Sequence, residues 1–239
     1  MIDIHSHLLP EMDDGSNSVE TTVNMLHEYH SQGVTTVVAT PHFYANTSTP
    51  ELFLEKRKVS FRKLQDYIRD NQITNIPKII NGAEIHLTHN ILNVTDIDQL
   101  KIEGTDYVLI ELPYDLLGSW VPNTIYEFSI KFSVTPILVH LERYLANSKN
   151  KKVIDEVLKL NLPIQINADS VLDFKLFKYV KDLIKNHNVC FIAGDAHNTT
   201  TRKLKINQAI NKLQSKFGTG FTDFLINNSE KLINNTFEI

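Results

Sequence analysis

The opening stretch MIDIHSHLLPEMDDG carries His5 and His7 two residues apart, then Asp13, Asp14 and Gly15. On an extended strand a separation of two puts both imidazoles on one face, where their nitrogens can share an ion. One such pair is weak evidence, but similar groups recur: His42 in TPH, Glu84 in GAE, Glu111 in IELP, His140 and Arg143 in VHLER, Asp195 and His197 in GDAH. Five histidines (His5, His7, His42, His140, His197) and four carboxylates (Asp14, Glu84, Glu111, Asp195) make nine candidate ligands. That is too many for one ion of ordinary coordination number and suits two or three. Carboxylates gathered without a cation would repel one another and take up protons. Arg143 is the clearest basic residue among them, so bound divalent metal is the simplest source of positive charge. Cys190 is the only cysteine, which excludes an internal disulfide and a thiolate zinc cluster. It lies in an apolar run and lacks the spacing of a thiol-based phosphatase loop, so it reads as core.

Each candidate ligand closes or follows a short β-branched run. These runs span 2–5, 35–40, 78–85, 107–112, 135–140, 163–168 and 189–195. Six of the seven finish on a metal-capable group, the exception being PIQINA at 163–168. Being apolar throughout, most predict parallel strands covered on both faces. Helical spacing fills 18–32, with Ser18 as cap and Gly33 as stop, and also 51–70, 120–132, 150–160 and 172–187; 86–100 reads as a weaker helix. Strand then helix, seven times, predicts an α/β fold of the distorted TIM-like barrel kind, (β/α)7, with an open doubly wound sheet as the alternative. In such a barrel the site forms at the C-terminal ends of the strands, which brings together residues far apart in sequence.

The 239 residues, 42% hydrophobic and 22% charged, suit one globular domain over 1–239. A net charge of −4 argues against a broad grip on nucleic acid or an anionic membrane. No secretory leader or apolar membrane span is legible, so a cytoplasmic protein is expected. The Asn-rich NNSEKLINNTFEI reads as a solvated last stretch.

The motifs IDIHSH, ATPH, GAEI, HLERY and GDAHN resemble those of the PHP (polymerase and histidinol phosphatase) superfamily, over nearly the whole chain. Within it they are most similar to the bacterial metal-dependent tyrosine phosphatases of the CpsB/YwqE type, associated with capsule and exopolysaccharide synthesis. The resemblance implies three metal sites: His5, His7, Glu84 and Asp195; Glu84, Glu111 and His140; Asp14, His42 and His197. It implies that Arg143 faces the phosphate, with Arg202 as a second contact, and that the substrate is the phosphorylated tyrosine-rich tail of a bacterial tyrosine kinase. It favours manganese, while imidazole and carboxylate ligands also admit iron or zinc. A metal-bridging hydroxide would attack phosphorus in line with the phenolate, as metals and Arg143 stabilise the equatorial oxygens. Phenolate leaves readily, its reference pKa being about 10; Asp13, if protonated, is a candidate general acid. Phe43, Tyr44, Tyr114 and Trp120 are candidates for a wall around a tyrosine ring. Leu141 and Gly194 stand where the family usually has proline and serine. The competing readings are a small-molecule phosphoesterase such as a histidinol phosphatase, and a metal-binding regulator of the kinase without turnover. An amidohydrolase is disfavoured because the fourth run ends on Glu111 with no lysine.

Overall fold

The structure, a computed structural model, describes residues 1–114 and 116–238. Along the chain lie β1 (Ile2–Ser6), α1 (Val19–Ser31), β2 (Thr36–Ala39), β3 (His42–Tyr44), α2 (Pro50–Asp70), β4 (Lys78–Asn81), β5 (Glu84–His86) and β6 (Tyr107–Glu111). There follow α3 (Val121–Phe132), β7 (Thr135–Val139), α4 (Leu141–Leu145), α5 (Lys151–Leu158), β8 (Ile164–Asn167), α6 (Ala168–Leu172), α7 (Phe177–Asn186), β9 (Val189–Ala193), α8 (Ile206–Phe217) and α9 (Thr219–Ile233). Every strand pairing is parallel. The strands form two sheets, in the orders β1-β2-β4 and β3-β5-β6-β7-β8-β9.

The second and third apolar runs therefore each divide into two strands instead of continuing as one. Pro41 explains the first break, since it has no amide hydrogen to give to a ladder. The matching break on the neighbour falls at Gly82, which lacks a side chain to hold the pleat. The chain stays bonded through both breaks, with Thr40 donating to Ser6 O at 2.8 Å and Gly82 to Ala39 O at 2.9 Å. On the other side, Asp195 donates to His5 O and His7 to Ala196 O, both at 3.0 Å, so the segment after β9 lies along β1. Ser6 and Ala196 form an isolated parallel bridge there.

α1 starts where Ser18 accepts the Thr21 amide at 3.1 Å, and the chain leaves it through Gly33 at φ 77°. The segment 86–100 is not one helix but two single 3-10 turns, Ile91–Asn93 and Asp98–Leu100. Asp96 competes for the backbone there, accepting the Asp98 amide at 2.8 Å. The helix expected over 172–187 starts only at Phe177, because Asp173 accepts the amides of Lys175 and Leu176 at 2.7 and 2.8 Å and resets the chain. The C-terminal stretch is not simply solvated. α9 buries Leu225 and Leu232, and Tyr107 donates its hydroxyl to Phe237 O at 2.9 Å.

Two apolar clusters hold the fold. The larger lies between strands and helices, with Leu26, Phe43, Leu64, Ile125 and Leu183 among its members. The smaller gathers Leu109, Ile137, Val139, Phe191 and Ala193 with Leu232 and Phe237. Leu109 and Glu111 are two apart on β6, so this cluster shares a face with the polar groups beyond it. Among the described residues no helix is long and apolar enough to cross a membrane.

Candidate metal centre

All nine candidate ligands meet in one region. His5 lies near the end of β1 and His7 just past it; Glu111 ends β6, His140 follows β7, and Asp195 and His197 follow β9. His42 and Glu84 open β3 and β5 beyond the strand breaks, directly paired in register. Glu84 is the centre of the cluster. Its Oε2 lies 3.0 Å from His42 Nδ1, 3.1 Å from His7 Nε2 and 3.3 Å from His5 Nε2, while its Oε1 is 2.8 Å from His140 Nε2. Asp195 Oδ1 lies 3.4 and 3.6 Å from His7 and His5 Nε2. Asp14 Oδ1 lies 3.3 Å from His197 Nε2 and 3.5 Å from His42 Nε2. His140 and Asp195 hold left-handed backbone, at φ 38° and 49°, a strained conformation concentrated at functional sites.

Three groups of atoms are close enough to converge on one ion each: His7, Asp14, His42 and His197; His5, His7 and Glu84; His42, Glu84 and Glu111. The grouping differs in detail from the sets implied by resemblance, since His7 and His42 each belong to two groups. His140 and Asp195 stand beside them rather than within.

The donor chemistry fits divalent cations. His42 Nδ1, Glu84 Oε2, His140 Nδ1 and His197 Nε2 are buried without a hydrogen-bond partner. Glu84 Oε2 has three imidazole nitrogens within 3.3 Å, yet none approaches along a hydrogen-bond direction. An unsatisfied buried polar atom costs about 1–3 kcal/mol, and a bound cation removes that cost. Burial opposes ionisation throughout, but His5 with His140 and His42 holds the Glu84 carboxyl well below its usual range, and His5, His7 and Arg143 do the same for Asp195. Against the same burial, Glu84 and Asp195 raise His5, and Asp13 raises His7 further.

A ring of supporting contacts fixes these groups. Asp13 Oδ2 lies 2.6 Å from His7 Nδ1 and accepts the His42 amide at 2.9 Å, while Oδ1 accepts the Gly15 amide at 2.9 Å. Burial alone would raise the Asp13 carboxyl, but His7 and the His42 amide pull it well below the carboxylate range. These contacts orient the His7 ring. A Cβ on Gly15 would come within 2.1 Å of His7 O and 2.6 Å of His7 Cβ, so only glycine admits this close approach. Gly194 donates to both oxygens of Asp3 at 3.1 and 3.0 Å, and a Cβ there would lie 2.6 Å from Asp3 Oδ2. The serine usual before the aspartate would not fit without movement.

Arg143 donates to Asp195 Oδ2 at 2.7 Å, and Arg202 spans Asp14 at 3.1 Å and Asp195 at 3.3 Å. Both guanidinium groups line a cavity of about 260 Å³ with His42, Glu84, Glu111, Tyr114, His140 and Asp195. Tyr44, His86 and Tyr114 follow one another along its rim with tilted rings, at separations of 5.1 and 4.9 Å. The other aromatic candidates go elsewhere: Phe43 is buried against Phe53, and Trp120 lies 3.8 Å from the His89 ring. Cys190 is buried, its thiol pushed up by burial to about 12, which removes it as a nucleophile. A wider groove of about 590 Å³ lies at the N-terminal ends of β8 and β9, away from all of these groups.

Sequence reasoning missed Gln165 and Asn167 and gave His86 too little weight. His86 Nδ1 lies 2.9 Å from Glu111 Oε2, a pairing foreshadowed only by its place two residues after Glu84. Gln165 and Asn167, on the one apolar run without a ligand, reach His5 Nδ1 at 2.8 Å and Asp195 Oδ2 at 2.6 Å. Their signal was the missing ligand itself, since two buried amides at spacing two ended that run instead.

Parallel strands that deliver imidazoles, carboxylates and two arginines into one small cavity define an α/β protein with a candidate polynuclear metal centre. The chain belongs to the CpsB/CapC family of capsular polysaccharide synthesis, whose profile matches residues 1–234. It is 27% identical over 241 residues to tyrosine-protein phosphatase YwqE of Bacillus subtilis, covering 98% of this chain and 92% of that one. To tyrosine-protein phosphatase CpsB of Streptococcus agalactiae serotype V it is 28% identical over 249 residues, covering 99% and 100%. Among solved structures it superposes with a TM-score of 0.84 and 27% identity on one from a study of B. subtilis YwqE and Streptococcus pneumoniae CpsB, described as unique metal-dependent tyrosine phosphatases; 100% of this chain and 96% of that one are covered. A histidinol phosphate phosphatase from Lactococcus lactis shares the fold at TM-score 0.55 and 17% identity, over 94% and 95% of the two chains.

Proposed function

We propose that this chain is a metal-dependent protein-tyrosine phosphatase, a phosphoric monoester hydrolase acting on phosphotyrosine. The observation that carries this reading is the cavity in which Arg143 and Arg202 face the cluster centred on Glu84, with Tyr44, His86 and Tyr114 at its rim. The likeness to YwqE and CpsB supports it. In this reading β1, β2 with β3, β4 with β5, and β6 to β9 are the seven staves of one distorted barrel in a single domain over 1–239, with the ligands gathered at the carboxyl ends.

His5, His7, Asp14, His42, Glu84, Glu111, His140, Asp195 and His197 hold two or three divalent ions, with manganese favoured over iron or zinc. Such ions, when bound, supply positive charge to phosphate oxygens and bring the pKa of water toward roughly 7. Arg143 and Arg202 present planar donors to the phosphoryl oxygens and stabilise the charge that spreads over them in the transition state. Asp13 holds His7 in place, and His86 holds Glu111. A phenolate, whose conjugate acid has a pKa of about 10, leaves readily and asks little of a general acid. The aromatic rim takes the phenyl ring. The natural substrate is the phosphorylated tyrosine-rich tail of a cytoplasmic tyrosine-kinase domain that controls capsule or exopolysaccharide synthesis.

Side-by-side assay of phosphotyrosine peptide, phosphoserine peptide and histidinol phosphate tests this reading. Release confined to phosphotyrosine is expected; faster release from histidinol phosphate would replace it with the small-molecule phosphoesterase.

A further inference from the structure

Of the seven apolar runs, only the one that carries β8 ends without a candidate ligand, and the two residues in that place are neither exposed nor idle. Gln165 and Asn167 are fully buried. Their side chains form an unbroken series: Asn167 Nδ2 to Asp195 Oδ2 at 2.6 Å, Gln165 Nε2 to Asn167 Oδ1 at 2.6 Å, and Gln165 Oε1 to His5 Nδ1 at 2.8 Å. Backbone contacts pin both residues. Asn167 N–H donates to Glu142 Oε1 at 3.0 Å, and Gln165 O accepts the His140 amide at 2.9 Å.

The series has a direction. Asp195 is paired with Arg143 and Arg202, so its carboxylate only accepts. Asn167 must then turn its NH2 toward Asp195 and its oxygen toward Gln165. Gln165 must in turn donate to Asn167 and accept from His5. An amide has one donating and one accepting end, so neither residue can flip without setting like ends against each other. The consequence falls at His5, whose proton is placed on Nδ1. That leaves Nε2, 3.3 Å from Glu84 Oε2 and 3.2 Å from His7 Nε2, as the nitrogen a cation can claim. At the other end, Asn167 and Arg143 hold Asp195 Oδ2, so Oδ1 faces the histidines.

We infer that Gln165 and Asn167 are positioning residues: an amide relay that sets which nitrogen of His5 and which oxygen of Asp195 are offered to a divalent cation. The inference rests on the reading of His5 and Asp195 as metal ligands. Partners of this kind fix the tautomer and orientation of ligands, and their loss weakens metal affinity by roughly 10- to 100-fold.

The test uses the full chain, labelled with 15N at histidine and loaded with zinc as a diamagnetic probe. His5 is expected to carry a slowly exchanging proton on Nδ1, with Nε2 bearing the metal. Gln165→Leu is expected to lose that slow exchange and to bind zinc roughly 10- to 100-fold more weakly in competition with a chelator. Because the amides act in series, Asn167→Ala and the double variant should lose about the same factor, not the product of two. A purely structural role would lower Tm while leaving zinc affinity and the His5 N–H signal unchanged, and that result overturns the inference. A His5 proton found on Nε2 in the parent chain overturns it without any variant, so poor folding of a variant cannot shield it. Zinc uptake by the parent with unaltered affinity in folded variants overturns the relay alone; no uptake by the parent overturns the metal-centre reading and the relay with it.

Discussion

Glu84 shows how much one residue asks of its surroundings: it is buried and has four imidazoles within 3.3 Å of its two oxygens. Each neighbour was legible as a type, because histidines and carboxylates at strand ends have no packing reason to be there. His140→Ala and Asp195→Asn should therefore cut turnover by more than about 100-fold, exceeding the usual cost of losing a mere second-layer partner. Circular dichroism should show the fold intact, since neither side chain contributes apolar core. Full activity in either folded variant would contradict the ligand assignment. Arg143→Ala tests a separate role. It should lower kcat/KM by roughly 10²- to 10³-fold, as expected for one lost donor to transition-state charge, with metal content by elemental analysis unchanged. Less legible were residues whose types are unremarkable. Gln165 and Asn167 look like ordinary strand amides until the fold sets them between His5 and Asp195. Asp13 was visible as a carboxylate, but its contact with His7 was not, because only the folded loop brings the two within 2.6 Å.

The elements succeed in proportion to how local their causes are. α1 could be placed from Ser18 and Gly33 because caps and stops act within a turn, whereas the splitting of two apolar runs at Pro41 and Gly82 depends on pairing between neighbours. The Asn- and Asp-rich segment 86–100 had apolar residues at helical spacing, but Asp96 competes for the backbone there. α9 was hidden because its Asn-rich composition masks Leu225 and Leu232, which become core only against the strands. The loop after β1 carries the strictest constraint at this scale. Gly15→Ala would force a Cβ to within 2.1 Å of His7 O. The expected result is a stability loss of about 1–3 kcal/mol, the usual range for overpacking, seen in denaturant unfolding. Weaker metal binding should accompany it, because the backbone that must move carries His7. A neutral effect on both would show the loop to be softer than described.

At the scale of the molecule, a modest net charge of −4 coexists with a densely ionised interior, and the two respond differently to pH. Burial opposes charge on His5 and His7, but nearby carboxylates raise both above 6.5. A group whose folded pKa is raised contributes its full stability below the unfolded value and loses it as pH rises through the folded one. Ion-free protein should thus lose the stability due to these two residues from about pH 6.5 upward. Glu84 and Asp195 are depressed, so their contribution is lost only in acid, well outside this window. Metal must displace the histidine protons, so its stabilising increment should grow over the same range. Thermal unfolding of chelator-treated and metal-restored protein between roughly pH 6 and 9 reads both trends. Parallel curves would mean that metal does not bind these histidines. The most direct test of the central claim is phosphate release from a phosphotyrosine peptide by chelator-stripped protein, with manganese, iron or zinc restored separately and phosphoserine peptide as control. Stripped protein should release no phosphate, and metal-restored release should be confined to phosphotyrosine. Release that survives complete stripping, or none with any metal despite measured uptake by folded protein, would contradict that claim.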